Sequence, residues 1–371
     1  MTGGNVFLDL LERFSPEAVP AWVLWLGASA IGVGILVAVV SLLAMVSTWA
    51  ERKVAGHIQC RYGPMYAGGW HGWAQPLADG VKLLMKEDMI PTGADRALFV
   101  LAPAVVLGSI FGALVAMPLA PDWYFANINL GAFFIIAMSS LTTIGVVMAG
   151  WASNSKWSLY GAMREAAQVV AYEVPLGISL LVPLLVSGTF SLLVASQEQA
   201  GLWGMNWFLF RNPFMLPAAV LFFIAALAET KRAPFDLPEA ESELVSGFLT
   251  EYSGIRWSFF FMEEYAAMFL MSLLASVFFF GGFESPVTHL AMLVGGENSI
   301  LHNLGGHVTL MLKASAGVFL MMWLRWTLPR VRIDQVMTMG YKYLTPLALL
   351  CVLGAALWEA GWYWLFPVTH P

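Results

Sequence analysis

Charge and cysteine are what this chain has least of. Only 11% of its 371 residues are Asp, Glu, Lys or Arg, against roughly 25% in soluble domains, whereas 59% are hydrophobic. A chain so composed cannot clothe itself in hydrated side chains, and its composition implies a lipid bilayer as solvent. Cys60 and Cys351 are its only two cysteines, which excludes a disulfide framework and a four-thiolate iron–sulfur cluster, so any redox cofactor must sit on a partner. Gly32-Val-Gly34 lacks the third glycine of a dinucleotide loop, and neither a Walker phosphate loop nor a nucleophile triad can be picked out. His289, His302 and His307 match no helical metal-ligand spacing, so no metal is assigned. Despite the formal charge of −6, the basic residues are parcelled out between apolar segments, and nothing resembles a nucleic-acid patch.

What the chain does have is long apolar runs. About 20 helical residues cross about 30 Å of hydrocarbon, and runs of that kind are read near 21–48, 97–120, 128–152, 174–196, 257–283, 303–325 and 343–366. A shorter one, 213–229, is Pro-led and apolar until Glu229. The fold class is therefore all-α: a polytopic integral membrane bundle of about eight transmembrane helices, forming one domain over 21–366 between tails 1–20 and 367–371. Eight crossings alternate the loops so that all of the 18 basic residues except Arg13, Arg211 and Lys313 fall on one side, which the positive-inside rule makes cytoplasmic. Both termini then face out. Met1 to Pro20 carry Asp9, Glu12 and Glu17 against Arg13, the wrong charge for a secretory leader, so the first apolar run is expected to remain as a helix. Near 73–88, Trp73, Leu77, Val81 and Leu84 recur at helical spacing opposite Asp79, Lys82 and Lys86, the pattern of an amphipathic helix on the cytoplasmic face. Gly108 and Gly112 permit close helix approach in the second span.

Acids carry the chemistry, because a charge at bilayer depth costs about 2.5–3.5 kcal/mol on insertion scales and needs a reason to be there. Glu263 and Glu264 stand roughly 10 Å along the sixth span, pointing about 100° apart, so one faces a polar channel and the other needs a separate partner; Glu264 is preferred for the channel. Beneath the fifth span, Glu229, Asp236, Glu239, Glu241 and Glu243 crowd around Lys231 and Arg232. That stretch reads either as a solvated, salt-bridged loop with a helix capped by Asp236 and Glu239, or as a fixed site stiffened by Pro234 and Pro238. Arg164, Gln168 and Tyr172 form a polar stripe into the fourth span, flanked by Glu165 and Glu173, as a proton or quinone path requires. Crowded and partly desolvated, such carboxyls hold protons near neutrality; simple ion pairing with Arg164, Lys231 and Arg232 is the other reading. Lys313, inside the seventh span, either joins a polar axis or pairs locally.

The polar segments also form readable motifs. Ala50-Glu51-Arg52-Lys53-Val54 with Gln59, Arg61 and Gly63-Pro64 is followed by Gln75-Pro76, Ala78-Asp79-Gly80 and Lys82. Further on stand Gly150-Trp-Ala-Ser-Asn-Ser-Lys156, Ala167-Gln168, Tyr172-Glu173-Val174, Ala233-Pro-Phe-Asp-Leu-Pro238 and Glu241-Ser-Glu-Leu-Val-Ser-Gly247. Glu251-Tyr252, Glu264-Tyr265, Leu328-Pro329-Arg330, Arg332 and Asp334-Gln335 complete the set. In this order, over roughly 20–366, they resemble the H-subunit family of NADH–quinone oxidoreductase, respiratory complex I. The resemblance implies a subunit of the bacterial cytoplasmic membrane that forms the membrane entrance and part of a ubiquinone chamber and couples quinone reduction to proton pumping. It implies as partners the quinone-module subunits of the hydrophilic arm, neighbouring membrane-arm subunits and lipid, with FMN, NADH and iron–sulfur clusters on other subunits and none held here. By the same carry-over Glu173, Asp236, Glu239, Glu241, Glu243 and Glu264 form an acidic path, while Arg52, Arg61, Asp79, Arg330 and Arg332 line the chamber mouth or dock the arm. Met65-Tyr66 stands where the family commonly has Asn-Arg, and Ile333 where it has Tyr. A related subunit of a membrane hydrogenase or of another quinone-linked dehydrogenase would share these features. A stand-alone proton-coupled transporter would share only the buried acids, and no internal repeat of transporter type is evident.

Overall fold

The structure, a computed structural model, describes residues 20–201, 206–239, 241–296 and 299–365; the expected tails, Pro20 apart, lie outside them. Among the described residues the chain is helical, with no strand. Seven helices are long and apolar enough to cross a membrane: α1 (Ala21–Ile58), α3 (Arg96–Val115), α4 (Gly131–Ala152), α5 (Lys156–Ser187), α7 (Gly254–Phe279), α9 (Ile300–Thr327) and α10 (Ile333–Trp362). Between them lie α2 (Gln75–Met85), α6 (Met215–Glu229) and α8 (Pro286–Gly295).

Local chemistry sets the ends. Asp95 caps α3, its carboxylate accepting from Ala97 N at 3.1 Å and Leu98 N at 3.4 Å, and Ser299 caps α9 by accepting from His302 N at 3.0 Å. α5 stops at Gly188, whose φ of +65° is the left-handed turn that closes a helix at no steric cost. The fourth expected window, 174–196, is corrected accordingly: α5 begins 18 residues earlier at Lys156, and the remainder of the window is a turn and a short helix, Leu192–Gln197.

α7 is the axis of the bundle. Its most apolar window is 83% buried within the chain, against 22% for α1, and it packs on α1, α3, α6 and α9. Polar groups on α7 are thus surrounded by protein rather than lipid. Gly112 meets α4, where an added Cβ would lie 2.3 Å from Met138 Cε, but Gly108 faces open space, so only one of the two expected glycines is used for close approach. The apolar stripe of α2 stays exposed, as a helix lying on a membrane surface requires.

α6 has 15 residues, about 22 Å, and does not cover the full hydrocarbon thickness by itself. The chain after it is irregular through 239 yet folds back among α5, α7 and α10, because non-helical backbone near membrane depth is tolerated only when protein covers it. This corrects the solvated-loop reading. The capped helix expected from Asp236 and Glu239 is also absent; the one short helix here is Glu241–Leu244. Pro238 biases Leu237 away from helical backbone, and the Asp236 carboxylate is taken by Arg330 at 3.2 Å.

Candidate functional site

The ends of α1, α6, α7 and α9, the first half of α5 and the loop after α6 meet at one polar end of the bundle. Its centre is Lys231-Arg232, 6% and 2% exposed. Lys231, held at φ +57°, sends its ammonium to Glu165 on α5 at 2.7 Å and to Glu263 on α7 at 3.4 Å. Arg232 turns the other way, with Nε 2.6 Å from Glu264 and Nη1 3.2 Å from Glu51 on α1, and its guanidinium lies 4.4 Å from the centre of the Tyr265 ring. Glu51 also accepts from the Tyr265 hydroxyl and the Arg325 guanidinium. The two neighbouring acids of α7 point apart and meet separate cations, Glu263 meeting Lys231 and Glu264 meeting Arg232.

The loop is strapped down by the polar stripe of α5. Gln168 Nε2 donates to Ala228 O at 2.7 Å and Phe235 O at 2.9 Å, and the Tyr172 hydroxyl donates to Val336 O at 3.1 Å. Burial opposes the charge on Lys231, but Glu165 and Glu263 outweigh it and hold its proton more firmly than usual; Glu264 and Glu51 do the same for Arg232. Both remain cations.

Around this centre the acids form a line. Arg330 holds Asp236, which lies within electrostatic reach of Glu239 and Glu264. Burial, then Glu264 and Asp236, push the Glu239 carboxyl well above its ordinary range. Glu165 is influenced by Glu263 and Glu264, and Glu229 by Glu173 and Glu263. The far end is Glu173, hydrogen-bonded to the Ser140 hydroxyl on α4. In such a line, a proton taken by one carboxyl alters the proton affinity of the next.

The structure brings together Glu165, Glu173, Glu229, Asp236, Glu239 and Glu264. It leaves Glu243 at the rim, 52% exposed and paired with Arg164 at 2.6 Å; the side chain of Glu241 lies outside the described residues. Arg52 and Asp79 pair at 2.6 Å and tie α1 to α2. Arg61 donates to Gln59 at 2.6 Å, and Arg332 is exposed at the start of α10. Glu51, which the sequence shows as part of a motif, and Arg325 were given no role in the site by the sequence reading. The signal for Glu51 was its place in register with the small residues Ala44, Thr48 and Ala55, which continue the buried face of α1 beyond its last strongly apolar turn.

An apolar cleft of about 350 Å3 lies near the Arg52–Asp79 pair, between α1 and the beginning of α2, lined by Leu42, Met45, Val46, Trp49, Trp73, Pro76 and Leu77. Among the described residues no His, Cys, Asp and Glu cluster suits a metal ion.

The family model for NADH dehydrogenase matches residues 31–356. The H subunit of NADH-quinone oxidoreductase from Chlorobium luteolum is 41% identical over 95% of this chain and 94% of its own length. The H subunits from Geobacillus sp. strain WCH70 and Bacillus mycoides are 44% and 47% identical, over 92% and 83% of this chain and 96% and 87% of theirs. A polytopic helical chain with this identity over nearly all its length belongs to the NADH dehydrogenase family, as a membrane subunit of the H type of proton-translocating NADH-quinone oxidoreductase.

Proposed function

We propose that this chain forms the membrane entrance and part of the ubiquinone chamber, and that quinone reduction is coupled to proton pumping through the acid line from Asp236 to Glu173. The observation that carries this reading is an array of buried and half-buried acids within electrostatic reach of one another, Asp236, Glu239, Glu264, Glu263, Glu165, Glu229 and Glu173, threaded by Lys231 and Arg232. Burying so many charges is costly, and a purely structural bundle would be served as well by apolar residues. The cleft between α1 and α2 supplies an apolar slot for an isoprenoid tail, with Arg52, Arg61, Asp79, Arg330 and Arg332 around the polar mouth, where they also meet the hydrophilic arm.

In this reading α6 is the short fifth of eight crossings, the polar end faces the cytoplasm of a bacterial cell across its inner membrane, and both termini face the periplasm. Partner subunits of the hydrophilic and membrane arms hold NADH, FMN and the iron–sulfur clusters and deliver the electrons; this chain contributes no redox cofactor. The test is to tag the chain, extract the assembly from native membranes in mild detergent and assay NADH-to-ubiquinone electron transfer. Activity that travels with the tag and is blocked by quinone-site inhibitors supports the reading. A stable assembly that does not oxidise NADH overturns it.

A further inference from the structure

Away from the acid line, a groove of about 490 Å3 runs between α6, α7 and α9. Leu216, Val220 and Leu320 stand exposed along it, so it opens to whatever surrounds the bundle, and among the described residues its only charged lining residue is Lys313. Lys313 lies about 18 Å along α9 from Arg325, at the end of the groove remote from the array. Its ammonium donates to the backbone carbonyls of Gly282 and Glu284, both at 2.8 Å, and lies 5.4 Å from the centre of the Trp207 ring. Two neutral acceptors occupy two of its three protons and leave its charge uncancelled. The neighbouring Glu284 carboxyl, pushed above its ordinary range by burial against the pull of His289 and Lys313, forms no salt bridge with the ammonium. A lysine beside a tryptophan at one end of an apolar slot is the arrangement of a membrane–water boundary, with the remainder of the slot at hydrocarbon depth.

The lining narrows the occupant: among the described residues the groove is apolar along its length and carries one cation, Lys313, at one end, which matches a molecule with an apolar chain and an anionic head. We propose that it binds an anionic phospholipid of the leaflet remote from the acid line, its phosphate on Lys313 beside Trp207 and one acyl chain along α6, α7 and α9. This goes beyond the quinone and proton reading and does not depend on it.

The test uses the intact complex reconstituted in phosphatidylcholine vesicles containing a trace of phosphatidylglycerol with a photoreactive acyl chain. The expected result is labelling of α6, α7 and α9 peptides that unlabelled phosphatidylglycerol displaces about fivefold better than phosphatidylcholine, the discrimination one lysine provides. Lys313→Gln should abolish that preference and Lys313→Arg retain it, both with NADH–quinone turnover unchanged. Ala275→Trp, which fills the groove, should remove the acyl label with Lys313 intact. Equal displacement by the two lipids in the unaltered complex overturns the proposal whether or not the variants assemble, as does cross-linking of the groove to a partner subunit in place of lipid.

Discussion

Arg232 Nε stands 2.6 Å from Glu264 on α7 while Nη1 of the same guanidinium stands 3.2 Å from Glu51 on α1, so a single loop residue joins two helices through charge. Removing it leaves Glu264 without its salt-bridge partner and Glu51 with Arg325 and Tyr265 alone. Arg232→Gln is expected to cost about 3–5 kcal/mol of stability, as for other buried pairs broken on one side. Arg232→Lys keeps the charge but has no planar fork for two acceptors, and should fall between. Thermal inactivation of the purified complex measures both; an unchanged half-life for Arg232→Gln would remove the bridge from the account of the fold.

The two ends of the acid line separate coupling from folding. Glu173 meets Ser140 and Asp236 meets Arg330, in each case a hydrogen bond that the amide isostere can largely preserve. Glu173→Gln and Asp236→Asn should therefore assemble normally while quinone-linked turnover falls about tenfold or more, equivalent to about 1.4 kcal/mol on the barrier. Full turnover in both would defeat the acidic path.

How much of this was legible depended on where periodicity and apolarity coincide. α3 and α4 are almost free of charge and were read within about five residues, and the Pro-led run of α6 stood out although it is short. α1 and α5 were read too short because their extensions carry charge: Glu51 and Arg52 beyond the apolar part of α1, Arg164 and Glu165 before that of α5. A transfer scale scores those residues as loop, yet each extension is covered by other helices or lies at the polar end, where charge does not end a helix.

The acids themselves were readable as a crowd near one face, and so were Lys231 and Arg232 as their nearest cations. The pairing was not. Which acid meets which cation depends on the loop after α6 turning back under α7, and nothing local in 230–239 dictates that path. Arg325 was hidden for the same reason, since it lies 274 positions from Glu51 in sequence and joins it only when α9 packs on α1.

Glu239 makes the site pH-sensitive. Its carboxyl titrates well above the ordinary range in the folded chain, so the native state binds that proton more tightly than the unfolded chain does. Its contribution is then fully present below the ordinary carboxylate value and is lost as pH rises through the elevated one. Glu239→Gln, fixed in the neutral form, should flatten the alkaline decline in thermal stability and leave the acid side nearly unchanged. Melting the complex across a pH series reads this directly, and parallel profiles for the two proteins would contradict it.

The cleft between α1 and α2 distinguishes a tail-binding slot from mere imperfect packing. Leu77 lines it and is otherwise exposed, so Leu77→Trp narrows the slot without entering the core or the acid line. If isoprenoid tails pass there, KM for a long-chain quinone should rise about threefold to tenfold while KM for a short-chain analogue barely moves, because the lost contact is with the tail alone. If only the tail lies in this cleft, kcat for both quinones should be preserved. A rise of equal size for both quinones would mean that the cleft acts on the headgroup site instead, and no change for either would mean that the tail takes another route.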